Sequence, residues 1–299
     1  MTARIYPSPE AFKQALEQRL RTSTSSGAAF VRQRQVLVFE RFLARVVAEL
    51  GASAVLKGGL VLELRLKRAR TTNDVDLRFS GSTDTLLARL QTAGRLDLGE
   101  FMRFEVNLDP THPAIRGDGM RYDGVRFQVV CRLAEKPYGY PFGLDVATAD
   151  PMIAPPDLIA ASDALAFAGI APPIVQIYPV TTHIAEKLHA YSLPRQRPNT
   201  RVKDLPDLAL LGTIPAIDAV QLRAALEQTF SYRQTHALPL SFSQPPEAWT
   251  TPYATLAFEE QLGWPTLDAV AMAVGAFLDP VLAGPLSATW DPGSWRWIP

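Results

Sequence analysis

The 299-residue sequence predicts an α/β protein of the α+β kind, with a small mixed sheet followed by a helical C-terminal region. Three observations carry that expectation. A short apolar run, Ala54-Val55-Leu56, stops at Gly58-Gly59 and is followed by helix formers and then by Asp74-Val75-Asp76-Leu77. From Phe101 to Val146 several segments alternate with the two-residue period of strands. After Tyr178 the composition changes and helical patterns dominate. The expected division is a core with N-terminal helices over 1–178 and a mostly helical domain over 179–299.

Composition narrows the class. Hydrophobic residues make up 47% and charged residues 20%, ordinary values for a globular chain, so disorder is not expected. Basic and acidic residues each number 30, so any nucleic-acid contact needs a local basic surface. The single cysteine, Cys131, lies in an apolar run and reads as a small buried hydrophobe. No apolar stretch is long enough to span a bilayer and the start carries no signal-peptide pattern. A cytoplasmic protein without a membrane partner is therefore expected.

In chain order, Ser8-Pro9 offers a cap and first-turn proline for a helix carrying Phe12, Leu16 and Leu20. Thr22 to Gly27 is a polar linker. A longer helix runs to Gly51 with Phe39, Phe42, Leu43, Val46, Val47 and Leu50 on one stripe. Arg32, Arg34, Arg41 and Arg45 lie mostly off it and read as a solvated face. Thr83 to Thr92 predicts another helix. Tyr122-Asp-Gly-Val125 is a hairpin signal, and Leu144-Asp145-Val146 a short strand. A helix is expected over Pro156 to Gly169, and an extended segment over Ile174 to Tyr178. Thr181 or Thr182 would cap the helix that ends before Pro194. Neither His183 nor His189 has a partner at metal-ligand spacing, so no zinc site is expected. Further helices are expected over Ala216 to Phe230 and Thr266 to Leu278, with Trp290, Trp295 and Trp297 as packing anchors.

The chemistry centres on Lys57 to Leu77. Adjacent glycines let the chain turn sharply and bring N–H groups to a ligand, and the helix that follows favours anions at its start. Asp74 and Asp76, two apart in a strand, share one face while Val75 and Leu77 enter the core. Paired carboxylates repel unless a cation lies between them. A glycine turn followed by paired acids suggests a site for a metal-bound nucleoside triphosphate. Each motif alone is also ordinary turn or strand-end chemistry.

The combination resembles the polymerase-beta-type nucleotidyltransferase superfamily, although the fourteen residues between Gly59 and Asp74 slightly exceed the usual spacing. The fuller set, Lys57-Gly58-Gly59, Leu62-Glu63-Leu64-Arg65, Arg70-Thr71, Asp74 and Asp76, is similar to the AbiEii/AbiGii and MenT group of toxin nucleotidyltransferases. Lys187 followed by a basic segment and Asp204-Leu-Pro-Asp207 extends the likeness, which covers about residues 54 to 212. It implies a polymerase-beta-type core whose site the C-terminal region completes. It further implies Mg²⁺, or Mn²⁺ in its place, held by Asp74, Asp76 and a third carboxylate for which Asp145 is the candidate. Lys57, Gly58, Gly59, Arg70 and Lys187 would bind nucleotide. Asp207 would be required for catalysis with Asp204 in support, and Thr72 matches a hydroxyl that can itself be modified. A turn threonine bonding its own backbone is the alternative for Thr72.

What the likeness implies for activity is transfer of a nucleoside monophosphate from an NTP, CTP being one candidate, to RNA. The tRNA acceptor end is the expected target, with inhibition of translation and a cognate antitoxin. Arg195, Arg197, Arg201 and Lys203 form the densest cation group and are the expected RNA contacts. A small-molecule nucleotidyltransferase of the antibiotic-modifying kind would keep the carboxylates without needing those cations. A catalytically inactive nucleotide-binding partner protein is a third reading, disfavoured by the intact acidic set.

Overall fold

The computed structural model describes residues 6–66, 72–115, 124–148, 152, 154–195, 199 and 201–299. The hairpin turn expected at Tyr122-Asp123 lies outside them. Helix α1 (Pro9–Thr22) starts where Ser8 accepts from the Ala11 amide at 3.2 Å, and it buries Phe12, Leu16 and Leu20. Ser26 caps α2 (Gly27–Leu50), which ends at Gly51 with φ 55°. Strand β1 (Ala54–Lys57), helix α3 (Gly59–Leu66) and strand β2 (Asp74–Phe79) follow, then α4 (Leu86–Arg95).

The remaining strands of the first part are β3 (Met102–Leu108), β4 (Ala114–Ile115), β5 (Gly124–Leu133), β6 (Lys136–Pro137), β7 (Phe142–Thr148), β8 (Asp157–Ala160) and β9 (Ile174–Ile177). The sheet order is β3-β5-β7-β2-β1-β9-β8, with β4 and β6 paired to β5. It is mixed: β2 runs parallel to β7 and β1 to β9, while the other pairs are antiparallel. Among the described residues the sheet holds nine strands.

One face of β2 is apolar. Val75, Leu77 and Phe79 are buried in a core that also holds Phe39, Phe42 and Leu43 of α2 and Leu86 and Leu90 of α4. Period-two alternation therefore delivers Asp74, Asp76 and Arg78 to the opposite face. Cys131 is buried in the same core, and burial pushes its thiol up to about 12, as suits a packing residue.

The second part contains α5 (Val180–Ser192), α6 (Asp204–Leu211), α7 (Ala219–Arg233), α8 (Thr250–Glu259), α9 (Leu267–Ala283) and the hairpin β10 (Thr289–Asp291) and β11 (Arg296–Ile298). Its core gathers Ile184, Leu188, Leu205, Leu208, Leu222, Val274 and Phe277, and Leu62 of α3 joins it. Trp290 is buried and donates its indole N–H to Gly212 O at 2.6 Å, while Trp295 and Trp297 donate to α9 carbonyls. The tryptophans pack as anchors.

Three expectations are corrected. Asp157–Ala160 is a strand where a helix was expected, because it pairs along β9, and only a 3₁₀ turn at Ala166–Ala168 remains of the helix. Arg41 and Arg45 are not solvated: the buried Glu100 accepts from Arg41 Nε at 3.0 Å and Arg45 Nη1 at 2.5 Å. A carboxylate buried there without a charged partner would be costly, so the arginines turn inward. Thr181 and Thr182 do not cap α5, which begins at Val180 with Pro179 before it; both threonines are buried inside the helix.

Candidate active site

Strand register builds the site. Lys57 of β1 stands opposite Asp76 of β2, Asp76 opposite Asp145 of β7, and Asp145 opposite Arg126 of β5. Directly paired residues point to the same face, so four strands carry a row of cation, carboxylate, carboxylate, cation at strand spacing, about 4.8 Å per step. Asp74, two residues before Asp76, lies on that face opposite Gly143.

Two glycines make room for the acids. At Gly58, φ is +73° and a Cβ would fall 1.9 Å from Asp76 Oδ2. At Gly143 a Cβ would fall 2.6 Å from Asp74 Oδ1, and the Gly143 amide donates to the Asp74 carboxylate. Crowding shows in the proton affinities. Burial, opposed by Lys57 and reinforced by Asp145, pushes the Asp76 carboxyl up to about 6. Asp74 is raised by burial and then by Asp145.

The second part meets the same face. Lys187 of α5 is close enough to Asp76 to favour its charged form, and its Nζ lies 2.9 Å from Asp204 Oδ1 and 2.7 Å from Asp207 Oδ2. Both aspartates occupy the first turn of α6 and are buried. Negative charge is favoured there, and the half-buried Lys187 ammonium balances it. Lys57 Nζ pairs with Glu186 of α5 at 3.2 Å, and Glu186 also accepts from Arg233 Nη2 at 3.0 Å. The expected site residues Lys57, Gly58, Asp74, Asp76, Asp145, Lys187, Asp204 and Asp207 are thus gathered from two parts of the chain. Gly59, the first residue of α3, is buried beside them.

Other expected residues stand differently. Arg70 and Arg197 lie outside the described residues. Thr72 donates its hydroxyl to Asp74 O at 3.3 Å, the local backbone bond. Arg201 pairs with Asp204 at 3.3 Å, and Arg195 donates to Ala190 O at 3.4 Å. Lys203 is exposed and its charge reaches Asp74. His183 is buried and held neutral, its pKa pushed down to about 3 by burial and then by Lys187. A cavity of about 380 Å³ opens beside Thr72 and Asn73, walled by Val36 and Phe39 with Tyr140 at its edge.

Arg126, Glu186, Gly143 and Arg233 were not expected. Arg126 grips Asp145 with Nε and Nη2, each 2.6 Å from a carboxylate oxygen. Only the pairing of β5 with β7 reveals it; in sequence it is one polar residue in an alternating strand.

With this geometry in place, the comparisons decide the family. The model described as nucleotidyl transferase AbiEii toxin, type IV toxin–antitoxin system, matches residues 41–273. The chain belongs to that family. Among curated protein sequences none is significantly similar to this AbiEii-family chain. Among solved structures, it resembles MenT4, nucleotidyltransferase toxin Rv2826c from Mycobacterium tuberculosis H37Rv, with a TM-score of 0.61 and 18% identity over 95% of this chain and 92% of that one. At that identity the likeness is one of fold. JHP933 from Helicobacter pylori (TM-score 0.44, 14% identity, 87% and 94% covered) and a putative nucleotidyltransferase from H. pylori (0.44, 13%, 87% and 96%) are more distant. The AbiEii-family match spans both the carboxylate row and the Lys187–Asp207 pair. No helix among its described residues is long and apolar enough to cross a membrane.

Proposed function

We propose that this AbiEii-family protein transfers a nucleoside monophosphate from an NTP to the acceptor end of tRNA, stopping translation until a cognate antitoxin intervenes. The observation that carries the reading is the shared face on which Asp76 and Asp145 meet Lys187 and Asp207. Asp74, Asp76 and Asp145 supply hard oxygen donors on adjacent strands, and the Arg126 guanidinium on Asp145 is a stand-in cation there. These residues fit Mg²⁺, or Mn²⁺, and would hold it. Bound there, the metal supplies charge neutralisation for the triphosphate and the attacking oxygen.

The chain's own residues account for the rest. The Gly58 turn brings backbone close to the carboxylate row, and Lys57 and Lys187 lie at the same face to offset charge on departing pyrophosphate. The acceptor hydroxyl oxygen bonds to the α-phosphorus as the bond to pyrophosphate breaks. Its proton is taken up by a base at the site or by solvent. Lys203 and Arg201, beside Asp74 and Asp204, mark the side from which an RNA backbone would approach. The cavity beside Asn73 has room for a nucleoside.

Incubation with each α-labelled NTP, Mg²⁺ and either total tRNA or an aminoglycoside panel tests this. Label entering tRNA from one preferred nucleotide, CTP in our reading, is the expected result. Label entering only the small molecules would favour an antibiotic-type transferase.

A further inference from the structure

The carboxylate that completes the row is not free to meet a metal. Asp145 accepts one hydrogen bond on each oxygen from Arg126, both at 2.6 Å, the fork-to-fork geometry that makes arginine–carboxylate pairs strong. The two residues are direct cross-strand partners, so the grip follows from the fold. Arg126 also interacts electrostatically with Asp74 and Asp109. Among the described residues no three His, Cys, Asp or Glu side chains are gathered as a metal cage, although Asp74, Asp76 and Asp145 share this face.

We infer that Arg126 is a positioning residue that competes with the divalent cation for Asp145, holding the site in a low-affinity state for metal alone. The inference rests on the transfer reading above. A guanidinium binds phosphate oxygens with the same fork it offers a carboxylate. An arriving triphosphate gives Arg126 a second partner and releases Asp145. Metal alone offers Arg126 no such partner, and must displace two charge-assisted hydrogen bonds. The device explains how three crowded acids persist without wasteful metal occupancy: the chain carries its own counter-cation. Arg126 is partly exposed, with 40% of its side chain accessible, so it has room to swing.

The test is a Mn²⁺ titration followed by electron paramagnetic resonance, on full-length protein without nucleotide. Removing the competing bonds by Arg126→Ala should tighten Mn²⁺ binding at least about tenfold, the lower bound expected from bonds to charged groups. Adding Asp145→Asn to that variant should abolish the gain. Arg126→Lys, whose ammonium cannot span both oxygens, should fall between. Should Arg126→Ala fail to fold, Arg126→Gln carries the same prediction. Unchanged or weaker binding in folded Arg126→Ala or Arg126→Gln overturns the inference, as does absence of Mn²⁺ binding in every variant. Failure of the transfer reading is distinguishable: wild-type protein would move no NTP label while the Mn²⁺ shift persisted.

Discussion

Asp76 and Asp145 stand directly opposite each other on the parallel strands β2 and β7, with Lys57 beyond the first and Arg126 beyond the second. Neighbouring like charges in a sheet are destabilising, and here burial adds to the effect. The arrangement costs the metal-free protein stability and concentrates negative potential where the proposed transfer would place a cation.

That cost has a pH signature. The folded-state pKa of Asp76, about 6, lies above its ordinary value of 3.8, so the native state binds the extra proton between those limits. Stability from this group is present below about pH 4 and is lost as pH rises through 6. Asp76→Asn should raise the melting temperature of metal-free protein at pH 7 by about 2–4 °C, and the difference should vanish near pH 4. Calorimetry across that range checks it; a variant less stable than wild type at pH 7 would contradict the crowding.

Gly58 should tolerate no side chain. The alanine methyl would collide with Asp76 Oδ2, and the +73° backbone angle disfavours any residue bearing one. Gly58→Ala should lose about 1–3 kcal/mol by urea titration. Transfer should fall at least about 100-fold, since an ångström of misplacement costs that much.

The Lys187 ammonium is sandwiched by two buried carboxylates, and removing it leaves both uncompensated. Lys187→Met should cost about 3–5 kcal/mol. Combining it with Asp204→Asn and Asp207→Asn should restore most of the stability and none of the activity. Denaturant melts with transfer assays separate the two effects.

Arg201 and Lys203 are the described cations of the basic segment that lie nearest the acids. Replacing both with alanine should weaken tRNA binding across sequences and flatten the log–log salt slope by about one to two. Filter binding at several salt concentrations reads this directly. An unchanged slope would move the RNA path elsewhere.

The strand-turn-helix-strand sequence and the paired acids were legible because they are local: glycine chemistry, helix formers and alternation all act within the single stretch from Ala54 to Phe79. Asp145 was legible as an acid between apolar neighbours, Leu144 and Val146, both buried. Arg126 was not, since its role depends on which strand lies beside β5, and no local pattern records a long-range register. The same reason hid β8: Asp157-Leu-Ile-Ala has no decisive preference of its own, and pairing with β9 makes it a strand. Arg41 and Arg45 misled because helical periodicity records an apolar stripe but not a carboxylate, Glu100, folded back from 55 residues away.

The central claim is that acids on the sheet and the Lys187–Asp207 pair on the helices form one transfer site. Single-turnover assays of wild type, Asp76→Asn and Asp207→Asn, following label from NTP into tRNA together with pyrophosphate release, test it most directly. Both variants should fold and each should lose at least about 1000-fold in rate, because residues acting as a unit fail together. Wild-type transfer by folded Asp207→Asn, with Asp76→Asn inactive, would contradict the claim and confine the chemistry to the sheet.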